Sequence, residues 1–232
     1  MITLQSSYYI VKIFFMLIST PYILYSFRRC PYAMRARMAL MLNKITVEIR
    51  EIELKHKPIS MLNHSPKGTV PVLIINSDIV VDESRDIMDF AVKQSHQPAF
   101  SPPCQQQLTL IEANDTTFKA HLDKYKYFDR FPEFSQQDYR QQGEEFLQKL
   151  EKRLVENQYL FDHKLSYADI AIFPFVRQFA HVDKLWFEQA HYPNIQRWLN
   201  DFLTSHTFIT VMKKLPAWQD GAATTYFPPL IE

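Results

Sequence analysis

A chain of 232 residues that is 47% hydrophobic and 14% aromatic can bury one large core or two smaller ones. Its 26 basic and 25 acidic residues leave a formal net charge of +1, with the two signs interspersed, so no global field draws it to nucleic acid. Two cysteines, Cys30 and Cys104, make no disulfide framework and point to a reducing, cytoplasmic setting, three glycines rule out a P-loop or a G-x-G-x-x-G fingerprint, and the histidines lack any metal-ligand spacing.

Residues 1–20 hold an apolar run, Tyr8 to Ser19, that Lys12 interrupts and that is too short to span a bilayer. No basic stretch precedes it and no small-residue cleavage site follows, so a disordered or loosely packed extension is expected rather than a leader or a membrane anchor. From Pro21 the chain alternates strands and helices. Tyr22–Phe27 reads as a short buried strand, and Pro31 opens a helix with Met34, Met38, Met41 and Leu42 at helical spacing. Asn43 is expected to end that helix in a left-handed cap. Val47 to Leu54 alternates apolar and charged residues, the mark of a half-exposed strand. A short helix over Ile59–Asn63 follows. Val70–Ile75 and Ile79–Val81 flank the turn Asn76-Ser-Asp78 and predict an antiparallel hairpin. A helix from Glu83 to about Lys93 completes a βαβ-α-ββα order, that of a thioredoxin-like domain spanning residues 21–97.

Between the first strand and the first helix stands Phe27-Arg-Arg-Cys30-Pro31. The proline places Cys30 at the helix N-cap, facing unpaired amides and the positive end of the helix dipole. Beside Arg28 and Arg29, the thiol is expected to ionise more easily than that of a free cysteine.

Gln94 to Pro103 carries three prolines and reads as a linker. Beyond it no convincing strand is found, so residues 103–228 are expected to be all-helical. One long helix runs from Ser101-Pro102 to about Lys126, and another holds Phe146, Leu147, Leu150 and Leu154. Ile195, Trp198, Leu199, Phe202 and Leu203 form an amphipathic stripe. Ile170–Val176 is apolar all round and predicts a buried central helix, started by a capping box between Ser166 and Asp169. Aromatic residues at helical spacing are more often core, and of those here Phe118 and Tyr125 are the first candidates to line an electrophile pocket facing Cys30 instead. Tyr32, next to the thiol, is expected to touch the substrate. Cys104 lacks flanking cations and lies across the linker, so it is not expected to resolve a disulfide at Cys30.

Three motifs together resemble the cytosolic glutathione S-transferases, and within them the cysteine-type omega-class and glutaredoxin-2-like members. They are Cys30-Pro-Tyr-Ala33; Lys67-Gly-Thr-Val-Pro-Val-Leu73 followed by Asp82-Glu-Ser84; and Leu165-Ser-Tyr-Ala-Asp-Ile-Ala171. Leu54-Lys-His-Lys-Pro58 is similar to the omega pattern as well. The resemblance implies a thioredoxin-like domain joined to an all-helical one, a homodimer, and glutathione as co-substrate with neither metal nor nucleotide. It implies Cys30 as the nucleophile and a backbone pairing of Val70 with glutathione's cysteinyl amide. Pro71 would be cis, Glu83 and Ser84 would hold the γ-glutamyl group, and Lys57 the glycyl carboxylate. Ala33 replaces the second cysteine of a C-P-Y-C dithiol site, so a disulfide at Cys30 must be released by an outside thiol. The activity expected is glutathione-dependent thiol transfer or dehydroascorbate-type reduction. The alternatives are conjugation of glutathione to small electrophiles and a non-enzymic protein-interaction module on the same fold.

Overall fold

A computed structural model describes residues 22–229; the expected extension, residues 1–20, lies outside the described residues. Five strands form one sheet in the order β4-β3-β1-β2-β5, with β1 Tyr22–Ser26, β2 Val47–Glu51, β3 Val72–Ile74, β4 Val80–Val81 and β5 Tyr226–Phe227. β1 and β2 run parallel, Tyr22 opposite Val47, and β3 runs antiparallel to β1 with Leu73 opposite Leu24. The parallel pair needs a crossover, which α1 (Pro31–Leu42) supplies. In the β3–β4 turn, Asn76 Oδ1 accepts from the amides of Asp78 and Ile79, both at 2.9 Å, the local device by which asparagine closes a turn.

Helix α1 is buried on nearly every side, its two arginines included. The sheet, α3 (Ser84–Gln94) and α7 (Tyr167–Ala180) surround it, so one continuous core runs through both halves of the molecule. The opposite face of the sheet carries a smaller core of Tyr25, Ile52, Met61, Val70, Val72 and Ile74 beneath α2 (Ile59–His64), and Cys30 packs at its margin.

The helical half consists of α4 (Gln105–Ala113), α5 (Lys119–Lys126), α6 (Gln136–Leu154), the central α7, α8 (Lys184–Gln189), α9 (Pro193–Leu203) and α10 (His206–Val211). The helix expected to run unbroken to Lys126 passes through a π-helical turn, Asn114–Phe118. The capping box of α7 is complete: Ser166 Oγ accepts from the Asp169 amide and Asp169 accepts from the Ser166 amide at 3.0 Å. Asp169 also accepts from the Leu160 amide and the Trp198 indole, both at 2.9 Å, tying α7 to α9. Gly143 of α6 allows close approach, since a Cβ there would collide with the Phe179 ring.

Two expectations are corrected. The left-handed residue after α1 is Lys44 (φ 58), not Asn43. Asn43 works through its side chain: Nδ2 donates to the Ala39 carbonyl at 2.9 Å and Oδ1 accepts from the Ala99 amide at 3.1 Å, which pins the linker to the helix end. The second half is also not wholly helical. β5 pairs antiparallel with β2, Phe227 opposite Val47, and adds an edge strand to the first domain's sheet. Two residues ahead of Pro228-Pro229 carry no periodicity, and the pairing is made by backbone groups that any sequence possesses.

Candidate active site

The turn that carries Cys30 is closed by backbone bonds. The Cys30 amide donates to the Phe27 carbonyl at 3.0 Å, and the Cys30 carbonyl accepts from Met34 at 2.9 Å. Cys30 is the N-cap of α1 with extended angles (φ −72, ψ 124) and makes no side-chain cap bond. The amides of Tyr32 and Ala33 therefore still face the sulfur and favour its anion. The thiol instead donates to the Val70 carbonyl at 3.6 Å.

Ionisation is not made easier overall, contrary to expectation. Burial pushes the Cys30 thiol above its ordinary range and outweighs the two amides and the cations Arg37 and Lys119, all of which pull it down. Desolvation penalises the charged form, and a cap position alone does not overcome it. The adjacent arginines are not the cations that act. Arg28 turns away, its guanidinium donating to the Met212 carbonyl at 3.3 Å, and Arg29 is exposed and lies 5.4 Å over the Phe27 ring.

Arg37 sits two turns along α1 and is fully buried. It donates to Ser26 Oγ at 3.0 Å and to the Arg28 carbonyl at 2.7 Å, and stands 3.6 Å from Glu51. Glu51 in turn accepts from the Arg28 amide at 2.6 Å. The end of β1, the Cys30 turn and the end of β2 are thus fastened to one guanidinium, whose own pKa burial lowers to about 10.

Of the residues expected to cradle glutathione, Val70 meets the thiol and Ser84 is joined to α1 through Arg35. The Val70-Pro71 bond is cis, and the Val70 carbonyl is the group the thiol reaches. Ser84 opens α3 and is buried; its Oγ accepts from Arg35 Nε at 3.0 Å, which leaves the hydroxyl proton and the first amides of the helix to meet a carboxylate. Glu83 is the exposed N-cap of α3, and its carboxylate accepts from Lys67 at 2.7 Å. Lys57 Nζ lies over Gly68, within 3.5 Å of where a Cβ would stand. The left-handed Gly68 (φ +62) thus allows both the turn and the close approach of that ammonium.

From the helical half, residues the sequence did not single out meet the start of α1. Asp115, in the π-helical turn, accepts both guanidinium nitrogens of Arg35 at 2.8 and 3.0 Å. Lys119 stands 5.9 Å from the Tyr32 ring centroid and is paired with Asp123. Tyr32 is half-buried, edge-on to Phe175 at 4.9 Å, and burial raises its hydroxyl to about 12. It stays neutral at physiological pH.

Phe118 and Tyr125 are not wall residues. Each is 1% exposed; Phe118 stacks on Phe146 at 4.6 Å and Tyr125 packs on Phe179 at 4.9 Å. Of the two readings, the core reading holds, because the π-helical turn and α5 direct these rings toward α6 and α7. Cys104 is exposed at the start of α4, in a cavity of about 520 Å³ with Phe161 and Tyr167 that Cys30 does not line. Among the described residues no cluster of three or more potential metal ligands occurs, and no helix is long and apolar enough to cross a membrane.

Comparison with known proteins agrees with this architecture. A family model for the glutathione S-transferase N-terminal domain matches residues 24–99, and one for the C-terminal domain matches residues 88–205. The chain is 28% identical over 97 residues to a probable glutathione transferase of Aplysia californica, covering 42% of this chain and all of that one. Among solved structures it is similar to a glutathione transferase family member of Pseudomonas fluorescens crystallised with two glutathione molecules bound (TM-score 0.70, 16% identity, covering 83% of this chain and 92% of that one). Poplar glutathione transferase F1 is similarly close (TM-score 0.68, 18% identity, 84% and 97% covered).

Proposed function

The chain belongs to the glutathione S-transferase family of enzymes, and we propose that within it this is a cysteine-type member that transfers thiols through Cys30. The observation that carries the reading is the position of Cys30. A thiol stands at an otherwise uncapped helix start, where the amides of Tyr32 and Ala33 and the charges of Arg37 and Lys119 favour its anion against the burial that opposes it.

The cycle uses one protein sulfur. The Cys30 thiolate attacks the glutathionyl sulfur of a mixed disulfide; a Cys30–glutathione disulfide forms, the original S–S bond breaks, and the other thiol leaves after taking a proton. A second glutathione, as thiolate, attacks the sulfur of the bound glutathionyl group. Oxidised glutathione leaves and the Cys30 thiolate returns. Ala33, one turn on, has no sulfur to compete for that second step. Lys57, the Val70 backbone, Glu83 and Ser84 would seat the glutathionyl group. The Pseudomonas fluorescens neighbour, crystallised with two glutathione molecules bound, supports glutathione as the ligand of this fold. The experiment is intact-mass and peptide spectrometry after treatment with oxidised glutathione. One glutathionyl group on Cys30, discharged by reduced glutathione, is the expected result; a protein that stays unmodified at Cys30 overturns the proposal.

One observation favours a second reading. A partly buried thiol that donates to a carbonyl is held neutral, and a neutral thiol can donate instead to the sulfur of bound glutathione, as conjugation requires. Conjugation of an aromatic halide that survives in Cys30→Ser, with disulfide exchange absent from the native enzyme, is the result that selects it.

A further inference from the structure

Asp115, Lys119 and Asp123 are spaced by four along a helix that is π-helical over Asn114–Phe118. A π-turn takes in one extra residue and rotates the helix beyond it relative to the helix before it, and such turns gather at functional sites. Here Asp115 and Lys119, beside each other at that spacing, meet Arg35 and Tyr32 at the start of α1.

Among the cations around Cys30, most are already committed. Arg35 is spent on both oxygens of Asp115 and on Ser84. Arg37 is sealed inside, bonded to Ser26 and to the Arg28 carbonyl. Arg28 is bonded to Met212, Arg29 lies over Phe27, and Lys57 stands by Gly68 in the glutathione cradle. Lys119 differs. It comes from the helical half, lies against the ring of Tyr32, and among the described residues has a single carboxylate partner, Asp123, which is itself 40% exposed at its side chain. An ammonium has three N–H donors, so two remain for a ligand.

We propose that Lys119 makes the cleft select electrophiles that carry an anionic group, a carboxylate or a sulfonate, near the atom that Cys30 attacks. Asp123 opposes it, since its carboxylate cancels part of the ammonium charge. The inference rests on Cys30 being the reacting atom; it names the class of second substrate, which the cradle residues leave undefined. That the charge of Lys119 reaches the sulfur is consistent with its pull on the thiol.

The test is a ratio. Cys30 is alkylated in Cys104→Ser protein by iodoacetate and by iodoacetamide at one pH, and each product is counted by peptide mass spectrometry. In both reactions the same thiolate displaces iodide and forms one S–CH2 bond. The thiolate fraction and intrinsic nucleophilicity therefore cancel, leaving the charge preference of the surroundings. Lys119→Met is expected to lower the iodoacetate-to-iodoacetamide ratio about five-fold and Asp123→Asn to raise it about two-fold, on Coulomb energies near a protein surface. Mixed disulfides of glutathione with mercaptopropionate, mercaptoethanol and cysteamine should follow the same order of charge in turnover. A ratio that Lys119→Met and Asp123→Asn both leave unchanged overturns this inference alone. A Cys30 that neither reagent modifies in the folded protein overturns the thiol-transfer reading and this inference with it.

Discussion

Four helices of the helical half begin differently from those of the sheet domain; α4 and α9 also lack a side-chain cap, and the first amides of α9 donate to Glu151 of α6 instead. In the helical half, α6, α7, α8 and α10 start from Ser135, Ser166, Asp183 and Ser205, and each side chain accepts from an amide of its own first turn. In the sheet domain, α1, α2 and α3 start from Cys30, Pro58 and Glu83, and none makes such a bond. A capped start has satisfied its orphan amides internally and has nothing left to offer a ligand. An open start keeps them, at some cost in stability, and the open starts of α1 and α3 are the two that the proposed glutathione cradle uses. The contrast is sharpest between α1 and α7, which pack on each other through Tyr32 and Phe175: one start is left open beside the proposed nucleophile, the other is closed by its own side chains.

That contrast predicts opposite signs for two substitutions. Cys30→Ser should lower glutathione–disulfide exchange by at least ~10³-fold, as loss of a nucleophile does. The serine closes the start of α1, so the melting temperature should hold or rise. A variant that keeps its exchange rate would break the assignment of the open start to catalysis. Asp169→Ala should do the reverse. It leaves the buried amides of Ser166 and Leu160 and the Trp198 indole without their acceptor, so urea unfolding should show a loss of about 3 kcal/mol or more. The fraction still folded should exchange at the native rate per molecule.

The smallest expected effect concerns the cations. Burial raises the Cys30 pKa above its ordinary value of 9.0, and only the thiolate reacts. Its alkylation rate should therefore still climb as the pH passes 9.0, where an exposed cysteine has begun to level off. Arg29→Gln should leave that profile in place, because the Arg29 guanidinium lies over Phe27 rather than at the sulfur. A plateau well below that pH, or its displacement by Arg29→Gln, would restore the neighbouring arginines as the activating charges.

Much of this was legible in the chain itself. Pro31 and the apolar run before it locate Cys30 at a helix start, and the Ser166–Asp169 pair announces the cap of α7. Alternation in Val47 to Leu54 and the Asn76-Ser-Asp78 turn give β2 and the hairpin. These are short-range effects, settled within a few residues by proline geometry, side-chain capping and period. The π-helical turn, β5, and the choice between Arg28 or Arg29 and Lys119 were not legible. Phe118 and Tyr125 failed for a related reason: helical spacing gives the face a ring occupies but not which neighbour that face meets.

The sequence alone determined the local devices of this protein: the thiol at a proline-opened helix, the absence of a second sulfur at Ala33, and the capped central helix. Tertiary structure alone decided how strongly the thiol is held neutral and which charges oppose that. Desolvation and Coulomb forces act through space, and Arg37 and Lys119 reach Cys30 only once α1 is packed between the sheet and the helical half.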